Sequence, residues 1–308
     1  MNMSLKKKGD VSLMVTGASG FIARGVLENC VAEGIHCHAL SRNVRPAWAS
    51  TEIDWSVVHS YADPSEIGDL LGGVEYIVHL ADRANRREAV NLEEARRNNR
   101  AFIQSINDSS VKGVILASSI YARNASAAGA VSYGAMKAAA EKAFLDSSGF
   151  KTIVLRLPPV YGPGGKGGLA LLAAFVREGV PLPLGSATAR RAYLSRRNLA
   201  TLIAAIIAGG DDGWEKASGK IFEPSDGFEI NTRDLINVMG SHLKVSNRMF
   251  PCPLSIIRIV GSLINRRDLI SGAIDALSVE SVDILNELFG WSPVERMPES
   301  LAFIATDH

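Results

Sequence analysis

Short apolar runs alternate with stretches of helical spacing along the first half of the chain. Val11 to Val15 is such a run and stops at a glycine turn, beyond which Ile22, Val26 and Leu27 share one face of a helix predicted over Phe21 to Val31. His36 to Leu40 predicts a second strand, Val57-Val58 a short third, Tyr76 to Leu80 a fourth, Val114 to Leu116 a fifth and Thr152 to Leu155 a sixth. The long helical patterns cover Glu88 to Asn107 and Ser132 to Leu145. This alternation predicts an α/β fold, a doubly wound parallel sheet with helices on both faces.

After Pro158-Pro159 the texture changes. Gly162, Pro163, Gly164, Gly165, Gly167 and Gly168 form a glycine-rich connection, and the strand-helix rhythm stops. The expected organisation is a nucleotide-binding domain over 1–160 and a smaller carboxyl-terminal, substrate-binding lobe over 161–308, with a partial return to the sheet at Lys220-Ile221-Phe222. Ile256 to Ile264 is apolar but broken by Arg258, and is far shorter than the roughly 20 residues of a membrane span. It is expected to be a core helix, with a membrane-surface contact as the alternative.

Composition narrows the choice of partner. The 308 residues include 33 basic and 32 acidic ones, so no overall field favours nucleic acid or an anionic surface, and binding has to be sought locally. Cys30, Cys37 and Cys252 form no CxxC pair, which suits a reducing cytoplasm. Met1 to Asp10 carries Lys6, Lys7 and Lys8 without the apolar stretch of a signal peptide, so a cytoplasmic protein with no stable membrane insertion is expected. His36, His38, His59 and His79 lie in or beside strands without a spaced set of partners, and no metal site is expected. Arg86-Arg87 and Arg96-Arg97 read as the solvated face of a helix.

The turn Thr16-Gly17-Ala18-Ser19-Gly20-Phe21-Ile22-Ala23 carries the first chemistry. A dinucleotide pyrophosphate binds backbone N–H groups at a helix amino terminus, and glycine is needed where it comes closest. Gly17 and Gly20 meet that need, Ser19, Phe21 and Ile22 complete the cradle, and Ala23 is small enough for close packing of helix on strand. Ser41-Arg42 ends the second strand, where a cation can pair with a 2′-phosphate; this favours NADP over NAD, although an arginine can also stack on adenine. Tyr133 and Lys137 stand four apart on one helix face, and an ammonium near a phenol favours the phenolate needed for acid and base work. Ser119, at the end of the fifth strand, can hydrogen-bond the same substrate oxygen.

These residues resemble the extended short-chain dehydrogenase/reductases, the NAD-dependent epimerase/dehydratase family. The matching stretches are VTGASGFIA, VHLAD at Val78 to Asp82, Asn99, LASS at Leu116 to Ser119, YGAMK, and LRLPPVYGPG at Leu155 to Gly164. The resemblance implies a Rossmann fold, an NAD(P)(H) cofactor held also by Leu80, Ala81 and Pro159, and a serine, tyrosine and lysine that orient the substrate oxygen, transfer its proton and hold the nicotinamide ribose. Those roles fall on Ser119, Tyr133 and Lys137. It also implies a homodimer formed through the two long helices.

Arg190-Arg191-Ala192-Tyr193-Leu194 resembles the segment with which nucleotide-sugar enzymes hold a diphosphate, with Arg191 at the matching position. GGLALLAAFVREGVPLPLG and LNELFGWSPVERMPESL are similar to bacterial UDP-N-acetylhexosamine 4-epimerases and UDP-sugar 4-ketoreductases, most of all to those forming UDP-N-acetylquinovosamine for O-antigen and related polysaccharides. Reduction of a UDP-linked 4-keto sugar is therefore the leading expectation, and 4-epimerisation with retained NAD the alternative. A sensing or scaffolding protein without catalysis fits the intact Ser119, Tyr133 and Lys137 poorly, and Ser119-Ile120-Tyr121 lacks the acidic pair of a dehydratase. Three departures stand out: only thirteen residues separate Ser119 from Tyr133, Asp82 replaces a small residue, and Asn198 replaces an aspartate.

Overall fold

The computed structural model describes residues 12–81, 92–124 and 132–306. Along the chain run β1 (Ser12–Thr16), α1 (Phe21–Ala32), β2 (His36–Ser41), β3 (Asp54–Val57), α2 (Pro64–Ile67), β4 (Tyr76–His79), α3 (Leu92–Asn107), β5 (Gly113–Ser119), α4 (Tyr133–Leu145) and β6 (Lys151–Leu157). There follow β7 (Val160–Tyr161), α5 (Gly168–Arg177), β8 (Arg190–Ala192), β9 (Leu194–Ser195), α6 (Arg196–Ala208), α7 (Gly210–Ala217) and β10 (Ile221–Phe222). The last elements are β11 (Glu229–Asn231), α8 (Thr232–Leu243), α9 (Leu254–Leu263), α10 (Arg267–Ile274) and α11 (Val282–Phe289).

The chain divides into two compact units, one of residues 1–157, 199–224 and 281–292, the other of 158–198, 225–280 and 293–308. The first holds a seven-stranded parallel sheet in the order β10-β6-β5-β4-β1-β2-β3. Strands covered on both faces need apolar residues at every position, which is why β1, β4 and β5 read as runs rather than alternations. Met14, Ile77 and Val114 from these strands pack with Phe102, Ile106 and Phe144 from α3 and α4 in one core. The third strand begins three residues before the predicted Val57, at Asp54, and pairs in register with His38 to Ser41. Caps set the helix starts: Asp63 accepts from the Ser65 N–H at 2.9 Å ahead of Pro64, and Ser132 accepts from the Ala135 N–H at 3.1 Å.

The second unit is built from two small sheets, β8 with β11 and β7 with β9, and from α5, α8, α9 and α10. Its core gathers Tyr161, Leu182, Ile230, Leu235, Met239, Ile257, Leu301 and Ile304. Beneath it lies a polar knot on Asp226, which is fully buried. One of its oxygens accepts from the Ser195 N–H and the Asn198 amide, each at 2.7 Å, and the other from the Tyr161 hydroxyl at 2.7 Å. Asn198 also donates to the Glu295 carbonyl at 2.7 Å and accepts from the N–H groups of Val294 and Glu295. An aspartate there has no N–H to give and would add a second charge beside Asp226, which accounts for the asparagine.

One expectation needs correction. Ile256 to Ile264 is not a core helix: in α9 only Ile257 and Gly261 are buried, while Ile256, Ile259, Val260, Leu263 and Ile264 face outward. Its buried edge is narrow because Gly261 sits against Ile270 of α10, where a Cβ would stand 2.4 Å from the Ile270 side chain. No described helix is long and apolar enough to cross a membrane.

Candidate active site

In an open parallel sheet the crevice at the carboxyl ends of the strands opens where the strand order reverses. Here that point lies between β1 and β4, where Thr16 is in register with Leu40 on one side and His79 on the other. The glycine turn leaves β1 at this point. Gly17 has φ of 68°, and a Cβ on it would lie 2.8 Å from the Ala81 nitrogen and 2.9 Å from the Leu80 carbonyl carbon. Glycine is thus required twice, by conformation and by contact. Gly20 precedes α1, whose start has no side-chain cap and no acidic residue in its first turn, and Ala23 is buried beneath it. A turn bare of side chains at Gly17 and Gly20, leading into an uncapped helix amino terminus, fits a dinucleotide pyrophosphate.

The structure shows supports for this turn that the sequence reading missed. Gly17 donates its N–H to the Tyr61 hydroxyl at 3.0 Å, and Tyr61 donates onward to the Leu40 carbonyl at 3.1 Å. The Thr16 hydroxyl accepts the Ala81 N–H at 3.2 Å and lies 2.9 Å from Nδ1 of His79. His79 is buried against Phe102 and Phe144. Burial, reinforced by the charge of Lys137, pushes its pKa down to about 3, so the ring is neutral. The local sequence around Tyr61 carries no motif, so only the fold brings it to the turn.

At the end of β2, Ser41 donates to the Ser19 hydroxyl at 3.0 Å, and the Asn43 amide donates to the same hydroxyl at 2.9 Å. Arg42 is exposed beside them, and no acidic residue occurs between Glu33 and Glu52. This corner offers hydroxyl, amide and guanidinium donors, and the segment between Glu33 and Glu52 brings no carboxylate to it.

Ser119 is the last residue of β5 and is 6% exposed; Tyr133 is the first of α4, and Lys137 follows one turn later. The Lys137 ammonium donates to the Ala117 carbonyl at 2.8 Å and lies 6.0 Å from the centre of the Tyr133 ring. Gly134 lets the start of α4 lie against Tyr121, since a Cβ there would come within 2.3 Å of the Tyr121 carbonyl oxygen. The Tyr121 and Tyr133 rings meet edge to face at 6.4 Å. Behind this end of the sheet, buried Glu141 accepts from Ser118 and takes two bonds from Arg156, at 2.9 and 2.7 Å. The structure thus gathers the glycine turn, Leu80, Ala81, Arg42, Ser119, Tyr133 and Lys137 into the first unit.

Pro159 and Arg191 belong to the second unit. Pro159 accepts from the Leu194 N–H at 3.2 Å. Arg191 is 3% exposed on β8, donates to the carbonyls of Ser271 and Asp275, and keeps an Nε with no partner among the described residues. Asp82 and residues 125–131 of the shortened loop lie outside the described residues. The histidines bond nearby groups, His38 to Ser56 and His36 to Asp54, and among the described residues no three His, Cys, Asp or Glu side chains converge as metal ligands would.

Residues 13–221 match the family model described as the NAD dependent epimerase/dehydratase family. A UDP-glucose 4-epimerase of Vibrio cholerae is 27% identical over 95% of this chain and 94% of its own length. A ceramide reductase of Caulobacter vibrioides is 28% identical over 62% of this chain and 59% of its own. Among solved structures, the Thermus thermophilus UDP-glucose 4-epimerase in complex with NAD superposes with a TM-score of 0.72 at 18% identity, over 96% of this chain and 98% of that one, a likeness of fold.

Proposed function

Because this chain belongs to the NAD-dependent epimerase/dehydratase family, we propose that it reduces the C4 keto group of a UDP-linked sugar with a nicotinamide cofactor. The substrate assigned is UDP-2-acetamido-2,6-dideoxy-4-hexulose, giving UDP-N-acetylquinovosamine for bacterial surface polysaccharide. The observation that carries the chemistry is the grouping of Ser119, Tyr133 and Lys137 in the same unit as the glycine cradle.

When bound, the nicotinamide supplies the hydride that C4 receives. The Tyr133 hydroxyl gives its proton to the carbonyl oxygen, so that ketone, hydride and proton add up to the alcohol. Ser119 donates a hydrogen bond to the same oxygen, and the Lys137 ammonium supports the negative charge left on the phenol. The resemblance to nucleotide-sugar enzymes assigns the substrate diphosphate to Arg191; this side chain is buried and its guanidinium donates to the Ser271 and Asp275 carbonyls, so of its fork the Nε has no partner among the described residues. The donors at Ser19, Ser41, Arg42 and Asn43 support NADPH as the coenzyme, since they suit a 2′-phosphate and the chain from 34 to 51 supplies no carboxylate for the ribose.

Stoichiometric oxidation of added NADPH or NADH with a panel of UDP-4-keto sugars, followed by NMR of the product, tests this reading. One cofactor oxidised per alcohol formed is expected, and no oxidation with any member of the panel overturns it. The second reading, 4-epimerisation, is favoured by the name of the Vibrio cholerae relative. It predicts tightly retained NAD and turnover of UDP-hexoses or UDP-N-acetylhexosamines without added cofactor.

A further inference from the structure

Helix α9 is apolar over most of its circumference, with Ser255, Arg258 and Ser262 on its one polar face, yet the second unit buries only one edge of it. Ile256, Ile259, Val260 and Leu263 fall at i, i+3, i+4 and i+7, so they form one stripe, and each is 48 to 80% exposed. Ile264, 59% exposed, and Phe250, 47% exposed, add to the exposed apolar surface of this segment. A stripe of this kind on a water-soluble surface is costly, and contiguous patches of it mark interaction sites.

The stretch of chain that holds the stripe is rich in cations, although Asp268 follows it directly. Between Asp234 and Asp268 the chain has no acidic residue, but it has Lys244, Arg248, Arg258, Arg266 and Arg267, in a protein whose net charge is only +1. Arg258 lies within the helix and pairs with Asp275 at 2.7 Å, while Arg266 and Arg267 follow its carboxyl end and are exposed. Long cationic side chains flanking an apolar helix face can bury their stems and keep their charges at a polar boundary.

We propose that α9 is an in-plane membrane-docking helix: its Ile256, Ile259, Val260 and Leu263 face enters the acyl boundary of an anionic bilayer, and the arginines engage the lipid headgroups. A neutral apolar partner would account for the stripe but not for the exposed Arg266 and Arg267 at its carboxyl end. Anionic lipid matches both. The docking is peripheral, since the helix of ten residues is too short to span.

The test is co-sedimentation of the full-length protein with vesicles of phosphatidylcholine alone and of phosphatidylcholine with about one third phosphatidylglycerol. Binding at least about tenfold stronger to the anionic vesicles is expected, and it should weaken as salt is raised. Ile259→Asp with Leu263→Asp should abolish it, and Arg266→Gln with Arg267→Gln should weaken it by about tenfold, each with an unchanged melting temperature because the positions are exposed. No vesicle binding, equal binding to both vesicles, or binding unaffected by either pair of substitutions overturns the proposal. So does light scattering that shows a dimer broken by the aspartates with no vesicle bound, which would assign the stripe to a second copy.

Discussion

The two units bury ionisable groups in opposite ways. In the first, His79 is held neutral among Phe102, Phe144 and the Lys137 charge, and its folded pKa falls to about 3. In the second, burial pushes the Asp226 carboxyl up to about 6, against hydrogen bonds from Tyr161, Ser195 and Asn198 that pull it down. One unit refuses a proton that the unfolded chain would take, and the other keeps a proton that the unfolded chain would release. The purpose differs as well. In the first unit the Thr16, Ser41 and Ser119 hydroxyls stand at strand ends, whereas both oxygens of Asp226 are consumed inside the second. A buried network that uses all its hydrogen bonds internally serves to specify the fold.

The comparison breaks most sharply at Tyr133. Tyr133→Phe should lower the rate of hydride transfer by about 10² to 10⁴ while leaving the melting temperature within a degree or two, measured by cofactor oxidation and calorimetry. A matching loss of stability would mean that the tyrosine is structural.

Acid should act on the first unit. The stability contributed by neutral His79 is complete above its ordinary pKa of 6.5 and falls by ~1.4 kcal/mol per pH unit towards about 3. Hydrogen exchange in β1, β4 and α3 should follow that slope, and His79→Leu should flatten it, at some cost at neutral pH from the lost Thr16 contact.

The second unit should show the reverse sign. Asp226 contributes stability that is complete below 3.8 and is lost as pH rises through about 6, roughly 3 kcal/mol in all. Asp226→Asn keeps an oxygen for Ser195 and Asn198 and offers an amide to Tyr161, so exchange in β9 and α8 should become insensitive to pH between 4 and 6. If the same slope persisted in the variant, the carboxyl would not be its source.

Gly134→Ala tests how the first unit builds its site. The new methyl would press on the Tyr121 carbonyl, costing about 1–3 kcal/mol in stability and displacing Tyr133, with a fall in kcat larger than the change in KM. The smallest effect is expected at Arg42: Arg42→Ser should raise the KM for NADPH by about tenfold and leave that for NADH nearly unchanged. Equal effects on both coenzymes would remove the 2′-phosphate from its role.

Much of the first unit was legible because its information is local. An apolar run, a turn with Gly17 and Gly20, and the four-residue step from Tyr133 to Lys137 all lie within single elements. The supports of the site were not, since Tyr61 reaches Gly17 across 44 residues and Thr16 reaches His79 across 63. Neither contact leaves a periodic trace in the chain. The second unit was read less well for the same reason: Tyr161 and Asp226 are 65 residues apart, and Asn198 reaches Glu295 across 97.

The sequence by itself determined the strand and helix order of the parallel sheet, because strands buried on both faces have to be apolar throughout and the turns between them need glycine. It also singled out Ser119, Tyr133 and Lys137, to which the proposed function gives the proton transfer. Only the tertiary structure decided which apolar surface is used. Ile256 to Ile264 carries the hydropathy of a core helix, but burial depends on what packs against it, and in α9 only Ile257 and Gly261 are buried, Gly261 against Ile270 of α10. Hydropathy states that a segment gains by leaving water; the rest of the fold determines whether it has done so.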